Sequence, residues 1–216
     1  MKLPIQDRIA AGRALAALLA DRYRNEDVIV LALPRGGVPV AAEIARALAA
    51  PLDVLNIRKL GVPFQPELAM GAIASGGIRV LNPEVIRLAG VDRDTIEEVV
   101  TMETRELERR ERLYRGDRAR PPLAHRCVII VDDGVATGAT MDAAVEAARQ
   151  LGPARVVVAI PLAPPDVIAR LEAHADEVVC LAAPAPFFSI GQWYEDFRQV
   201  GDDEVRALLG REPAAA

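Results

Sequence analysis

The stretch Val128-Ile129-Ile130-Val131-Asp132-Asp133-Gly134-Val135-Ala136-Thr137-Gly138-Ala139-Thr140 decides the fold. Four consecutive apolar residues read as a strand buried on both faces, which is the habit of parallel sheets. That strand delivers two carboxylates to its C-terminal end, where the ligands of open α/β sheets collect. The seven small residues that follow carry two hydroxyls and open into a helix. Such a turn lets successive backbone N–H groups approach one phosphate, assisted by the positive end of the helix. Carboxylates alone would repel a phosphate, so the pair must address another part of the same ligand. Vicinal ribose hydroxyls, which donate hydrogen bonds and can share a divalent ion, meet both demands, and the stretch reads as a sugar-phosphate site. The bland alternative is a tight connector beside an exposed acid pair. A Walker loop is excluded because no Gly-Lys-Ser/Thr follows, and Gly134 with Gly138 does not make the dinucleotide fingerprint.

Working outward, Val28 to Leu33 reads as a second buried strand that stops at Pro34-Arg35-Gly36-Gly37. Val38 to Ala49 is helical and Pro51 to Ile57 a short strand, a strand-turn-helix-strand unit that implies parallel pairing. Before it, Ile5, Ile9, Leu15, Leu18 and Leu19 recur at helical spacing up to Tyr23. After the decisive stretch come a helix from Ala139 to Leu151, a strand from Arg155 to Ile160, a helix after Pro165 and a strand from Glu177 to Leu181. The expected architecture is one α/β domain over residues 1–216, a central parallel sheet flanked by helices. Two segments stand apart. Residues 58–77, punctuated by Gly61, Pro63, Pro66, Gly71 and Ser75-Gly76-Gly77, read as a flexible loop followed by a small hairpin. Residues 92–120 form a charged helical insert, with Glu106/Arg110, Glu108/Arg112 and Glu111/Arg115 at i, i+4 spacing and an apolar stripe of Ile96, Val100, Leu107 and Tyr114 interrupted by Glu103 and Arg110. That helix is expected to lie solvated on the body of the protein. The Ala-rich tail after Pro213 is expected to fray.

Composition narrows the function. The 216 residues are 51% hydrophobic but 4% aromatic, with a net charge of -5 and a pI near 5.2. The acid excess gives no general attraction for polyanions, so a nucleic-acid-coating role is disfavoured. No apolar run approaches a membrane span and Met1 to Asp7 lacks the pattern of a secretory leader, so a cytoplasmic protein is expected. Cys127 and Cys180 each adjoin an apolar run and read as reduced core thiols; with His125 and His174 they make no zinc spacing. Lys59 is the only lysine beyond Lys2 among 26 basic residues. Five of the eight aromatics, Phe187, Phe188, Trp193, Tyr194 and Phe197, cluster near the C-terminus.

The stretch Val128 to Thr140 resembles, at every position, the 5-phosphoribosyl 1-diphosphate motif of the type I phosphoribosyltransferases, and the chain is most similar to bacterial phosphoribosyltransferase-like proteins carrying Pro-Arg-Gly-Gly-Val-Pro-Val. The resemblance implies the type I fold with a small hood. It also implies that Asp132 and Asp133 hold the ribose hydroxyls and touch a Mg²⁺ ion, directly or through water. Gly134, Val135, Ala136, Thr137, Gly138, Ala139 and Thr140 would wrap the 5-phosphate. Arg35, Gly36 and Gly37 would bind diphosphate, the arginine with its charge and the glycines through backbone amides. Arg58-Lys59 is similar to a pair that several subfamilies carry on a loop closing over diphosphate, and Lys59 suits a compact charge on the leaving group. Catalysis would then fall to Arg35, Lys59, Asp132 and Asp133. The hood, residues 184–210, would build the acceptor pocket, where Phe188, Trp193 or Tyr194 could stack on a flat, purine-like heterocycle. The implied reaction passes the phosphoribosyl group to a nitrogen acceptor. A regulatory protein that senses nucleotide or 5-phosphoribosyl 1-diphosphate is the alternative. No nucleic-acid or membrane partner is expected, and a homodimer is left open. Residues 63–71 do not match the longer basic loops of orotate or adenine enzymes, and the 92–120 insert is not a standard part of the family core, so the acceptor is not named by the resemblance.

Overall fold

The computed structural model describes residues 2–116 and 118–210. The tail after Pro213 lies outside the described residues. In chain order the elements are α1 (Arg8–Tyr23), β1 (Val28–Ala32), α2 (Gly37–Leu48), β2 (Leu52–Val54), β3 (Ile57–Val62), β4 (Gln65–Ala74), β5 (Ile78–Leu81), α3 (Pro83–Ala89), α4 (Arg93–Arg115), β6 (Cys127–Val131), α5 (Ala139–Arg149), β7 (Arg155–Leu162), α6 (Pro165–Glu172), β8 (Glu177–Ala182) and α7 (Asp202–Leu208).

Five strands form a parallel sheet in the order β2-β1-β6-β7-β8. Every residue of β1 and β6 is buried, as unbroken apolar runs require when helices cover both faces. One face packs on α1 and α2 through Leu15, Leu19, Val30, Val40, Ile44 and Ile129. The other packs on α5 and α6 through Ile29, Val128, Ile130, Met141, Val145 and Leu171. The chain order reverses between β1 and β6, which makes that boundary the topological switch point of the sheet. The register there runs from Val28 opposite Cys127 to Ala32 opposite Val131, so the loops that follow the two strands emerge side by side.

Three expectations change. First, Ile9 and Leu18 are 43% and 48% exposed. Helix α1 turns its small-residue side toward α2, where a Cβ on Gly12 would lie 2.7 Å from the Val40 carbonyl oxygen, and this close approach outweighs the apolar stripe. Second, residues 58–77 are not a loop leading into a hairpin. Strands β3 and β4 pair antiparallel from Ile57 to Val62, and β5 extends the small sheet. The glycines mark bulges and close strand approach: the register shifts on either side of Gly61, whose Cβ would stand 2.7 Å from the Pro66 carbonyl oxygen. Third, α4 is more than a solvated helix. All three i, i+4 pairs form, but Ile96 and Leu107 are buried under the small sheet with Leu60, Val62 and Met70. At its end the buried Arg115 donates from Nη2 to Asp53 Oδ2 at 2.9 Å and to the Val54 carbonyl at 3.1 Å, fastening α4 to edge strand β2. Cys127 is buried and Cys180 half-buried, both as free thiols. Among the described residues no helix is long and apolar enough to cross a membrane.

Candidate active site at the switch point

The two loops at the switch point are joined through backbone as well as side chains. The Leu33 amide donates to the Val131 carbonyl at 2.8 Å, so the turn Pro34–Gly37 leaves β1 already tied to the end of β6. The Pro34–Arg35 peptide is cis. Gly36 and Gly37 are required by packing against the acid pair. A Cβ on Gly37 would stand 2.6 Å from the Val131 carbonyl oxygen and 2.9 Å from Asp132 Cα, and one on Gly36 would overlap the Asp133 carboxylate. The Gly37 amide donates to the Leu33 carbonyl at 3.1 Å, so it starts α2 and is not offered to a ligand. The sequence expectation that these glycines let backbone amides reach an anion therefore falls on Gly36, while both positions are also demanded by packing. Arg35, about a third exposed, points toward Asp202 at the start of α7, with Nη1 3.6 Å from Oδ1. Asp202 also accepts from the Tyr114 hydroxyl at 2.6 Å.

After β6, Gly134 has a φ of +156° and lies under Ile190, so the segment beyond β8 passes over the acid pair's loop. The Val135 side chain is buried and its amide donates to the Leu162 carbonyl at 2.8 Å, so this residue anchors the loop to β7 instead of facing a phosphate. Ala136, Thr137, Ala139 and Thr140 are exposed. Gly138, with φ +81°, caps α5, and the N–H groups of the first helical turn have no intrahelical partner. Arg170 steadies the rim by donating to the Thr137 carbonyl and to Asp142 Oδ2. The result is a shallow anion cradle at the N-terminus of α5.

Asp132 and Asp133 are not equivalent. The Asp132 side chain accepts from the Asp133 amide at 2.8 Å, while Asp133 Oδ2 accepts from Arg8 Nε at 2.7 Å and the Asp133 carbonyl from the Tyr194 hydroxyl at 2.7 Å. Burial, with the neighbouring Asp133 charge, pushes the Asp132 carboxyl well above the usual range. Burial also raises Asp133, with Arg8 working against the shift. An acid held in that state favours a ligand that donates hydrogen bonds or brings positive charge.

Lys59 and Arg58 part company because neighbours on a strand face opposite ways. Arg58 turns to α4, where Nη2 lies 2.6 Å from Glu103 Oε2. It is therefore not gathered with the anion loop, contrary to expectation. Lys59 lines a cleft of about 650 Å³ between the small sheet and α5 that also includes Asn82, Ala139 and Thr140. Of the three candidate stacking rings, Tyr194 is withdrawn: it is buried and stacked on Phe197 at a centroid separation of 5.0 Å. Trp193 is partly exposed and tilted against Phe187, and Phe188 is 82% exposed.

Sequence reasoning missed Arg8, Asp202 and Tyr114. Arg8 alone left a signal: it sits in the first turn of α1, just after the capping Asp7, where the helix dipole disfavours a cation.

A parallel sheet whose switch point joins an acid pair, a small-residue turn opening a helix and an arginine-bearing turn defines an open α/β protein with its candidate site at the carboxyl ends of the strands. A family model described as the phosphoribosyl transferase domain matches residues 3–195, and the chain belongs to that family, with the type I fold expected from its motif. It is 54% identical over 211 residues to a Mycobacterium tuberculosis protein named "Putative phosphoribosyl transferase MT0597". A second strain of that organism carries a relative at the same identity. These alignments take in 98% of this chain and 47% of each relative, so the chain spans about half the length of the curated relatives it matches. The crystal structure of the protein TT1426 from Thermus thermophilus superposes with a TM-score of 0.85 at 44% identity, over 95% of this chain and 97% of that one.

Proposed function

We propose that the protein transfers the 5-phosphoribosyl group of 5-phosphoribosyl 1-diphosphate to a ring nitrogen of a small, purine-like heterocycle, releasing diphosphate. One observation carries this reading: the register of β1 and β6 sets the Arg35 turn beside the acid pair, so one ligand can engage both while its phosphate occupies the start of α5. In the reaction the C1–O bond to diphosphate breaks, its electron pair leaving with the oxygen, and the acceptor nitrogen bonds to C1 and loses its proton to solvent. Asp132 receives the ribose hydroxyls. Arg35 exchanges Asp202 for the diphosphate oxygens, where charge accumulates as the bond breaks. Lys59, on the strand facing α5, adds a second cation. The heterocycle rests on the exposed ring of Phe188 or on Trp193, carried by the segment that passes over Gly134.

The donor set suits Mg²⁺. Two carboxylates, Asp132 and Asp133, stand together just beyond the end of β6. That matches an ion held by one or two carboxylates together with substrate phosphates and water. Asp132, with Asp133 behind it, would hold the ion, which when bound supplies positive charge to the diphosphate.

The test is diphosphate release measured with Mg²⁺ and a panel of purine and pyrimidine bases. Release with one of the purines supports transfer. Tight binding of 5-phosphoribosyl 1-diphosphate without release for any base would replace this reading with a sensing role. Asp132→Asn is expected to abolish binding of the sugar phosphate while the protein stays folded, and unchanged affinity would overturn the assignment of the site.

A further inference from the structure

Arg8 is as buried as a core residue, 9% exposed, at the start of a helix whose dipole opposes it. Three partners compensate. Its Nε donates to Asp133 Oδ2 at 2.7 Å, its Nη1 to the Arg198 carbonyl at 2.8 Å, and its guanidinium lies 3.9 Å from the centroid of Phe197. Phe197 stacks on Tyr194, whose hydroxyl donates to the Asp133 carbonyl. Asp133 is thus gripped at both its carboxylate and its backbone, and the same carboxylate packs on Gly36 of the arginine-bearing turn. Among the described residues nothing comparable holds Asp132, whose side chain takes up the amide of its neighbour.

We propose that Arg8 is a positioning residue that divides the acid pair, fixing Asp133 as a strut between α1, the Arg35 turn and the C-terminal segment, so that Asp132 alone is aimed at the ribose hydroxyls. This rests on the sugar-phosphate reading of the site. It adds a residue distant in sequence from both ligand loops, and it gives the C-terminal aromatics a second duty beneath the site, distinct from stacking on an acceptor. Arg8 also explains how a second carboxylate can sit against Gly36 without repelling the diphosphate side, because its charge is already answered.

The test compares two probes, ribose 5-phosphate and inorganic phosphate, titrated calorimetrically in EDTA against the wild type, Arg8→Gln, Arg8→Lys, the double variant Arg8→Gln/Asp133→Asn and Asp132→Asn. Melting temperatures are recorded for all five. Phosphate needs only the cradle at α5, so a change in the ratio of the two affinities reports the acid pair itself. Arg8→Gln is expected to weaken ribose 5-phosphate roughly tenfold while phosphate changes little, about the worth of one charge-assisted hydrogen bond. Arg8→Lys, which keeps the charge but cannot reach two acceptors with one fork, should fall between. In the double variant the stranded buried charge is gone, so most of the lost melting temperature and ribose 5-phosphate affinity should return relative to Arg8→Gln. An unchanged affinity ratio in Arg8→Gln would overturn the positioning role. A double variant that binds ribose 5-phosphate as poorly as Asp132→Asn would show that Asp133 meets the ligand directly and overturn the division of the pair. Normal binding by Asp132→Asn would instead overturn the site reading, a result that leaves its own distinct signature.

Discussion

Gly36→Ala adds one methyl group at a position whose backbone already suits alanine, with φ -60° and ψ -34°. On backbone grounds alone, replacing glycine at such a site stabilises a protein by about 0.4–1 kcal/mol by restricting the unfolded chain. The structure demands the opposite sign. The new Cβ would lie 2.6 Å from Asp133 Cγ and overlap Oδ2, against the ordinary contact range that begins near 3.4 Å. Oδ2 must therefore shift by an ångström or more, which disturbs the hydrogen bond it accepts from Arg8 Nε at 2.7 Å. Overpacking costs about 1–3 kcal/mol, and disrupting a buried pair by removing its partner costs about 3–5 kcal/mol. Because relaxing one relieves the other, the expected net loss is about 2–4 kcal/mol. For a domain of this size that corresponds to a fall in melting temperature of about 4–16 °C. Differential scanning calorimetry reads it directly, and ribose 5-phosphate titration should show weaker binding in parallel. A Gly36→Ala protein that melts at or above the wild-type temperature would refute the contact between the turn and Asp133, and with it the account of why that turn carries glycine.

Other perturbations probe separate links. Lys59→Ala should lower kcat by a larger factor than it weakens binding of 5-phosphoribosyl 1-diphosphate; equal losses, or none, would remove Lys59 from the leaving group. Arg115→Met strands Asp53, which is buried at the edge of the sheet, and should cost about 3–5 kcal/mol in chemical denaturation, with Asp53→Leu added to Arg115→Met recovering much of it. A single variant as stable as wild type would show that α4 is not fastened to β2 there. Burial pushes the Cys127 thiol up to about 11, so the thiol carries its proton at pH 8 and should react with iodoacetamide only after denaturant is added. Rapid labelling at Cys127 in the native protein, distinguished from Cys180 by peptide mapping, would contradict its place in the core.

Most of the parallel sheet was legible because β1 and β6 are buried on both faces, and nothing but an unbroken apolar run satisfies that environment. The small sheet was not, although its residues are just as ordered in their pairing. Gly61 and Gly71 look like loop punctuation, yet each is there because another strand's backbone comes too close for a Cβ, and closeness between segments leaves no local trace. Strand alternation then hid a second point. Arg58 and Lys59 read as one basic pair, but consecutive strand residues cannot serve one face, and Glu103, 45 residues away, takes the arginine.

The site follows the same division. The residues proposed to meet the ligand, Lys59 apart, cluster in two short loops, since backbone suited to wrapping an anion is built from contiguous small residues, and such contiguity is visible in sequence. Its supports are dispersed, because each needs only to arrive from some element with the right chemistry: Arg8 from α1, Tyr194 from beyond β8, Asp202 from α7. The aromatic cluster shows what composition can and cannot say. Five rings in eleven residues announce that the segment is pinned to something, but the side on which the chain passes the acid pair decides the role of each. Tyr194 and Phe197 turn inward beneath Asp133, whereas Phe188 faces solvent. If one segment both braces the acid pair from below and presents a ring above it, trimming Phe188 and trimming Phe197 should have separable consequences. Phe188→Ala is expected to leave the melting temperature and ribose 5-phosphate binding near wild type while reducing affinity for the heterocycle. Phe197→Ala is expected to lower both of the first two, because the support of Arg8 is lost. Identical profiles for the two variants would mean that the segment acts as a single packed unit and that Phe188 has no face of its own to offer an acceptor.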